Sequence, residues 1–222
     1  MKKLSELVSA SVVAVGAVGA GVAGVHAAGV LDAAAGKTER GFAIHTPQSA
    51  SPASGGILEA IQKAFGFVPN MNATIAESPA LLRGVTELNQ ALATGELTPV
   101  ERNLVSIVAA RELGNAYCVA GHCTVASGMS RQASELDALR RGASIEDAKL
   151  ESLRAFTVRL IATKGAVSDE ELAAFLGAGY SRRQALEVIG VIAEKTISTQ
   201  VKNLAGVPLE AAFEAQRWSG AK

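Results

Sequence analysis

An all-α helical bundle is the fold class the sequence predicts, and three observations carry that expectation. Helix-start punctuation recurs along the chain, most clearly at Ser78-Pro79, Thr98-Pro99-Val100-Glu101, Ser168-Asp169-Glu170-Glu171 and Ser181-Arg182-Arg183-Gln184. In each, a hydroxyl can cap the first free backbone N–H groups, followed by proline at the first helical position or by Glu or Gln three residues on. Alanine, leucine and glutamate abound, whereas the period-2 alternation of β-branched residues that marks strands is absent. No tandem repeat interrupts the pattern, and 222 residues with 49% hydrophobic content can enclose a sizeable core.

Charge and composition remove several classes of function. The 21 basic residues balance the 21 acidic ones without a basic cluster, and aromatic residues make up only 4%, so neither electrostatics nor stacking supports nucleic-acid binding. Two cysteines do not make a disulfide framework, and Cys-x-x-Cys-His, the signature of covalent haem, does not occur.

Taken in order, residues 1–30 begin Met1-Lys2-Lys3 and continue into an apolar run from Val12 to Val25, ending at Val25-His26-Ala27. This resembles a secretory signal and would place the mature protein outside the cytoplasm, for example in a periplasm. A membrane span and an ordered N-terminal helix are the alternatives; in the latter case the protein stays cytoplasmic. Residues 31–56, with Pro47, Pro52, Gly55 and Gly56, read as a linker or surface arm, and His45 within it as a solvated loop residue. The helical domain is expected over 57–222. Its first helix runs from Ile57 to Phe65, closed by Gly66. The next runs from Pro79 to about Ala93. A third spans Thr98 to Leu113, with Leu104, Ile107, Val108 and Arg111 along one side and Glu101 occupied in its capping box. Ser144 opens a helix to about Thr163, two further capped helices cover 168–177 and 181–204, and Pro208 opens a last amphipathic helix carrying Leu209, Ala212 and Phe213.

The chemistry concentrates in Asn115-Ala116-Tyr117-Cys118-Val119-Ala120-Gly121-His122-Cys123. Gly114 ends the preceding helix and Asn115 is a competent N-cap, which puts Cys118 in the first turn of a new one. There the helix dipole contributes about 0.3–1 kcal/mol to a thiolate, less than one pKa unit, so a second helper is needed. His122, four residues on and on the same face, is the candidate acceptor of the thiol proton. Cys123 is not expected to pair with Cys118: on a helix their Cα atoms are roughly 8.6 Å apart, beyond the ~7 Å a disulfide spans. It reads as a small buried hydrophobe. A structural Cys118, or a metal site of Cys118, His122 and Cys123, are the competing readings.

The order Phe67-Val68-Pro69-Asn70, Ser78-Pro79-Ala80-Leu81-Leu82, Leu97-Thr98-Pro99-Val100-Glu101-Arg102 and Tyr117-Cys118-x-x-x-His122 resembles the carboxymuconolactone decarboxylase and alkylhydroperoxidase D superfamily, in particular its peroxidase-related branch. The resemblance covers roughly Ile57 to Phe213. It implies an all-α fold assembled as a homo-oligomer, trimer or hexamer, that reduces small organic hydroperoxides without a cofactor or metal, using an external thiol or thioredoxin-like reductant. By the same resemblance Cys118 attacks the peroxide and the family histidine matches His122; Tyr117, beside the cysteine, reads as a pocket-lining residue or as part of the core. Two positions depart from the family motif. Its resolving cysteine falls on Asn115, and its relay glutamate falls on Asn103. Glu101 is a poor replacement for that carboxylate, because two helical positions differ by about 200° around the axis. The expectation is a one-cysteine peroxidase; a redox-inactive helical oligomer or a decarboxylase-like enzyme is the alternative.

Overall fold

A computed structural model describes residues 36–220, so the apolar segment 1–30 lies outside the described residues. The described residues divide into two compact units, one formed by residues 36–94 with Asn203–Pro208, the other by Gly95–Lys202 with residues 209–220. Among the described residues no helix is long and apolar enough to cross a membrane.

In the first unit the described part of the stretch expected to be a linker, residues 36–56, is structured. Strands β1 (Gly36–Lys37) and β2 (Ala43–Ile44) pair antiparallel across a turn in which Gly41 takes φ +84°. The hairpin is tied down by His45 N–H donating to the Ala73 carbonyl at 3.1 Å and by Ala43 N–H donating to Glu77 at 2.9 Å. Helix α1 (Pro52–Phe65) starts well before the expected Ile57, because Ser51 caps it by accepting from Ser54 N–H and Pro52 fills its first position. Gly55 and Gly56 therefore sit inside a helix, not in a flexible arm. For Gly55 the reason is tertiary: an added Cβ would lie 2.8 Å from the Pro47 carbonyl oxygen, whereas Gly56 faces open space. A short helix α2 (Asn70–Ile75), which carries no side-chain cap, was not expected; α3 (Pro79–Ala93) follows the reading, with Ser78 as its cap. Leu58, Ala73, Ile75, Leu82 and Val85 close this unit's core.

The second unit is built around α4 (Pro99–Glu112), whose capping box between Thr98 and Glu101 is complete. From Leu104 to Ala110 every residue is buried. A helix apolar on all sides needs neighbours on all sides, and α5 (Ala116–Gly128), α6 (Ala133–Arg141) and α7 (Ala148–Thr163) pack against it. Helix α6 was not expected, since Gln132 ahead of it makes no side-chain cap. Helix α7 begins at Ala148 and not at Ser144, because Asp147 takes the cap by accepting from Leu150 N–H at 2.9 Å. Helix α8 (Asp169–Gly177) and the long α9 (Arg182–Ala205) follow the reading, and the box at Ser181 and Gln184 is made in both directions. The expected last helix is a 3₁₀ segment, Ala211–Gln216, lying on α5. On α8, Phe175 stacks between Phe156 and Tyr180 with centroids 4.0 and 4.6 Å away.

The entry to α4 is fastened to α9. The Glu187 carboxylate accepts from Glu96 N–H at 2.8 and 3.0 Å and from Leu97 N–H at 2.8 Å. Gly95 makes this approach possible, since a Cβ there would stand 2.6 Å from the Glu187 carboxyl carbon.

The two adjacent glycines of α1 make opposite predictions. Gly56→Ala gains helix propensity without a clash and should stabilise the protein by up to about 1 kcal/mol. Gly55→Ala gains the same propensity but drives a methyl group into backbone, and should lose a net ~1–3 kcal/mol in chemical denaturation.

Candidate active site

Asn115 caps α5 as the sequence indicates: its Oδ1 accepts from Cys118 N–H at 3.0 Å. The position also has work that a cap alone does not require. Its amide Nδ2 donates to Cys118 Sγ and to Thr199 Oγ1, both at 3.2 Å, and the side chain is fully buried. Asn115 thus ties the sulfur to α9, at the position where the resemblance led to the expectation of a resolving cysteine.

Cys118 stands in the first turn of α5, but it is not the acidic thiol expected from that position. It is 6% exposed, and burial pushes its pKa up to about 11. Lys195 pulls it down most strongly among the opposing groups, Glu194 pushes it further up, and hydrogen bonds from Ser198 and Asn115 lower it again. Cys123 is also a free, fully buried thiol.

His122 does not face the sulfur as a free base. Asn103 on α4 makes two hydrogen bonds to it: Asn103 Nδ2 donates to the His122 backbone carbonyl at 3.1 Å, and Asn103 Oδ1 lies 2.8 Å from His122 Nδ1. A carbonyl can only accept, so the amide nitrogen must face it and the amide oxygen must face the ring. Nδ1 therefore carries the hydrogen and Nε2 offers its lone pair. That lone pair accepts from Lys195 Nζ at 2.6 Å. Burial first, then the charges of Lys195 and Arg102, hold the imidazole pKa well below its ordinary value. The expected role of His122 as acceptor of the thiol proton is not supported by this geometry, because the nitrogen that would take the proton is already engaged.

The group that completes the cluster is a turn of α9 that sequence reasoning passed over. Lys195 Nζ lies 2.5 Å from Glu194 Oε2, with both side chains less than a tenth exposed. Ser198 donates to Glu194 Oε1 at 3.0 Å, and Thr199 donates to the Lys195 carbonyl at 2.7 Å. Burial works against the ammonium, but Glu194 and then Cys118 outweigh it, and Lys195 titrates above its ordinary value. A signal was present in the sequence: Val188, Val191, Glu194, Lys195, Ser198 and Thr199 recur in the phase of one helix face, and all are buried. Polar residues in register with an apolar stripe mark a polar pocket inside a core.

The remaining expected residues lie apart from this cluster. Tyr117 is buried against the 3₁₀ segment, edge-on to Phe213 at 6.0 Å, with its hydroxyl donating to Glu210 at 2.7 Å. Glu101 is consumed by the α4 cap and by Lys149 at 3.3 Å. Burial raises its pKa, but the Thr98 and Lys149 contacts outweigh that and hold it below the usual range. Among the described residues no group of three or more His, Cys, Asp or Glu is arranged to hold a metal ion.

Residues 79–159, which contain Asn103, Asn115, Cys118 and His122, match the model of the carboxymuconolactone decarboxylase family. That match spans 81 of the 222 residues, all within the second unit except its first part. Solved structures agree on the fold. A peroxidase-related protein from Ralstonia eutropha JMP134, described as an alkylhydroperoxidase AhpD core, superposes with TM-score 0.69 at 19% identity, covering 77% of this chain and 92% of its own. A peroxidase-related protein from Silicibacter sp. TM1040 gives 0.65 at 18%, covering 75% and 91%. The debrominase Bmp8, in its apo form, gives 0.63 at 17%, covering 74% and 90%. No curated protein matches the chain. Within the fold it shares with these structures, this chain places an amide at 103 and a buried ammonium at 195 around its cysteine.

The depressed His122 pKa has a consequence for stability. Below about pH 6.5 the unfolded chain binds a proton at this residue that the folded protein refuses, so stability should fall as the pH drops through and below that point. His122→Gln, which cannot titrate, should flatten this part of a denaturation-midpoint profile against pH.

Proposed function

We propose that this chain is a carboxymuconolactone decarboxylase-like protein acting as a thiol-dependent peroxidase that reduces small organic hydroperoxides, with Cys118 as nucleophile. The observation that supports it best is the polar surround of Cys118 Sγ within an otherwise apolar core: an amide N–H and a buried ammonium both favour negative charge on that sulfur. In the reaction the thiolate attacks the terminal oxygen of RO–OH. The S–O bond forms as the O–O bond breaks, sulfur is oxidised by two electrons, and alkoxide leaves to become ROH. The sulfenic acid left on Cys118 meets no thiol at position 115, so an external thiol or thioredoxin-like donor reduces it, in the manner of a one-cysteine enzyme. Self-association as a trimer or hexamer is part of this reading.

A redox-inactive oligomer is the second reading, favoured by the raised pKa of Cys118. One experiment separates the two. Purified protein with dithiothreitol or thioredoxin should consume an alkyl hydroperoxide such as cumene hydroperoxide, and the peptide carrying Cys118 should gain one oxygen atom when the donor is withheld. Cys118→Ser should lose consumption by about 100-fold or more. Equal rates for the two proteins remove the proposal.

A further inference from the structure

Side chains of α9 meet side chains of α5 at two levels, Thr199 at Asn115 in its cap and, about one turn back on α9, Lys195 Nζ at His122 Nε2, 2.6 Å away. Asn115 bridges the two helices, donating to Cys118 Sγ and to Thr199, whose own hydroxyl bonds the Lys195 carbonyl. The ammonium is held at its head by Glu194 and by the His122 lone pair, and His122 is locked in the matching tautomer by Asn103.

We propose that Lys195 is the charge partner of the Cys118 thiolate and the proton donor to the departing alkoxide, and that neutral His122, clamped by Asn103, is the positioning residue that aims it. The second half rests on the peroxidase reading; the first does not. In balance, the Cys118 thiol loses its proton to solvent while Lys195 stays an ammonium. When the thiolate displaces alkoxide from the peroxide, Lys195 gives a proton to the alkoxide, yielding ROH and a neutral amine that takes a proton back from water. Asn103 is integral to the arrangement. A carboxylate there would favour a protonated imidazole, whose Nε2–H would meet the Lys195 donors head-on. The other charged groups around the pair are Glu194 on α9, which opposes a thiolate but secures Lys195, and Arg102 on α4, which helps to keep His122 neutral.

The test is the pH dependence of Cys118 alkylation by iodoacetamide, followed by peptide mass between about pH 7 and about pH 10, a readout that needs no peroxide. An opposite charge at close range moves a pKa by about 1–3 units, so Lys195→Met should slow alkylation at a given pH by about 10- to 1000-fold, and Lys195→Arg should recover part of the loss. His122→Leu should lose in the same direction, and His122→Gln, whose amide oxygen can accept from Lys195, should recover most of that. Alkylation of Lys195→Met within twofold of wild type across the range overturns the assignment. Should Lys195→Met fail to fold with Glu194 left buried and unpaired, His122→Leu decides alone: slower alkylation supports the positioning role and an unchanged rate refutes it. A wild-type protein that consumes no hydroperoxide but shows the Lys195 effect would cost the proposed reaction and leave the thiolate partner standing.

Discussion

A buried ammonium is the constraint on which the arrangement of this site depends. Leaving one partner of a buried pair without the other costs about 3–5 kcal/mol, so the Lys195 head group must be fully provided for by the helices around it. Glu194 supplies the countercharge from α9 itself, and His122 supplies a lone pair from α5. For His122 to have that lone pair to give, its other nitrogen must hold the hydrogen, which Asn103 ensures from α4. The requirement thus links three helices through named atoms. Its benefit is positional: an apolar trio of similar volume could pack as well, but it would place no charge beside Cys118.

Where local chemistry decides the structure, the sequence was legible. The caps at Ser78, Thr98, Ser168 and Ser181 involve residues within three positions of one another, and the helices they open begin where expected. Asn115 and Cys118 were placed correctly for the same reason. Distant contacts were not legible. Gly55 looks like a linker residue until the Pro47 carbonyl is known to lie against it, and α6, which has no side-chain cap, announces no beginning. The acidity of Cys118 was misjudged by magnitude. A helix N-terminus contributes about 0.3–1 kcal/mol, whereas burial raises this thiol to about 11, a larger effect in the opposite direction, so burial outweighs the dipole. Burial cannot be read from four residues of local sequence.

Measured against the motif that its sequence resembles, the chain has an amide at 103 in place of a carboxylate and an amide at 115 in place of a thiol. Neither position is idle. Each amide uses both of its ends, acceptor and donor, which a carboxylate or a thiol cannot do. The negative charge of the cluster sits on Glu194, together with a cation that compensates it. Seen this way the two departures and the α9 pair form one rearranged set.

The Glu187 clasp gives that set a frame of reference. Its carboxylate fixes the backbone just ahead of α4, and Lys195 follows Glu187 by eight helical positions, about 12 Å along the same rigid rod. Sliding or rolling α9 by a fraction of a turn would therefore have to tear this anchor before it could carry the ammonium away from its imidazole. Fidelity at the cysteine is in this sense maintained from a surface loop two turns distant, and natural variation at Gly95 or Glu187 would be felt as detuned chemistry in a protein whose core was otherwise whole.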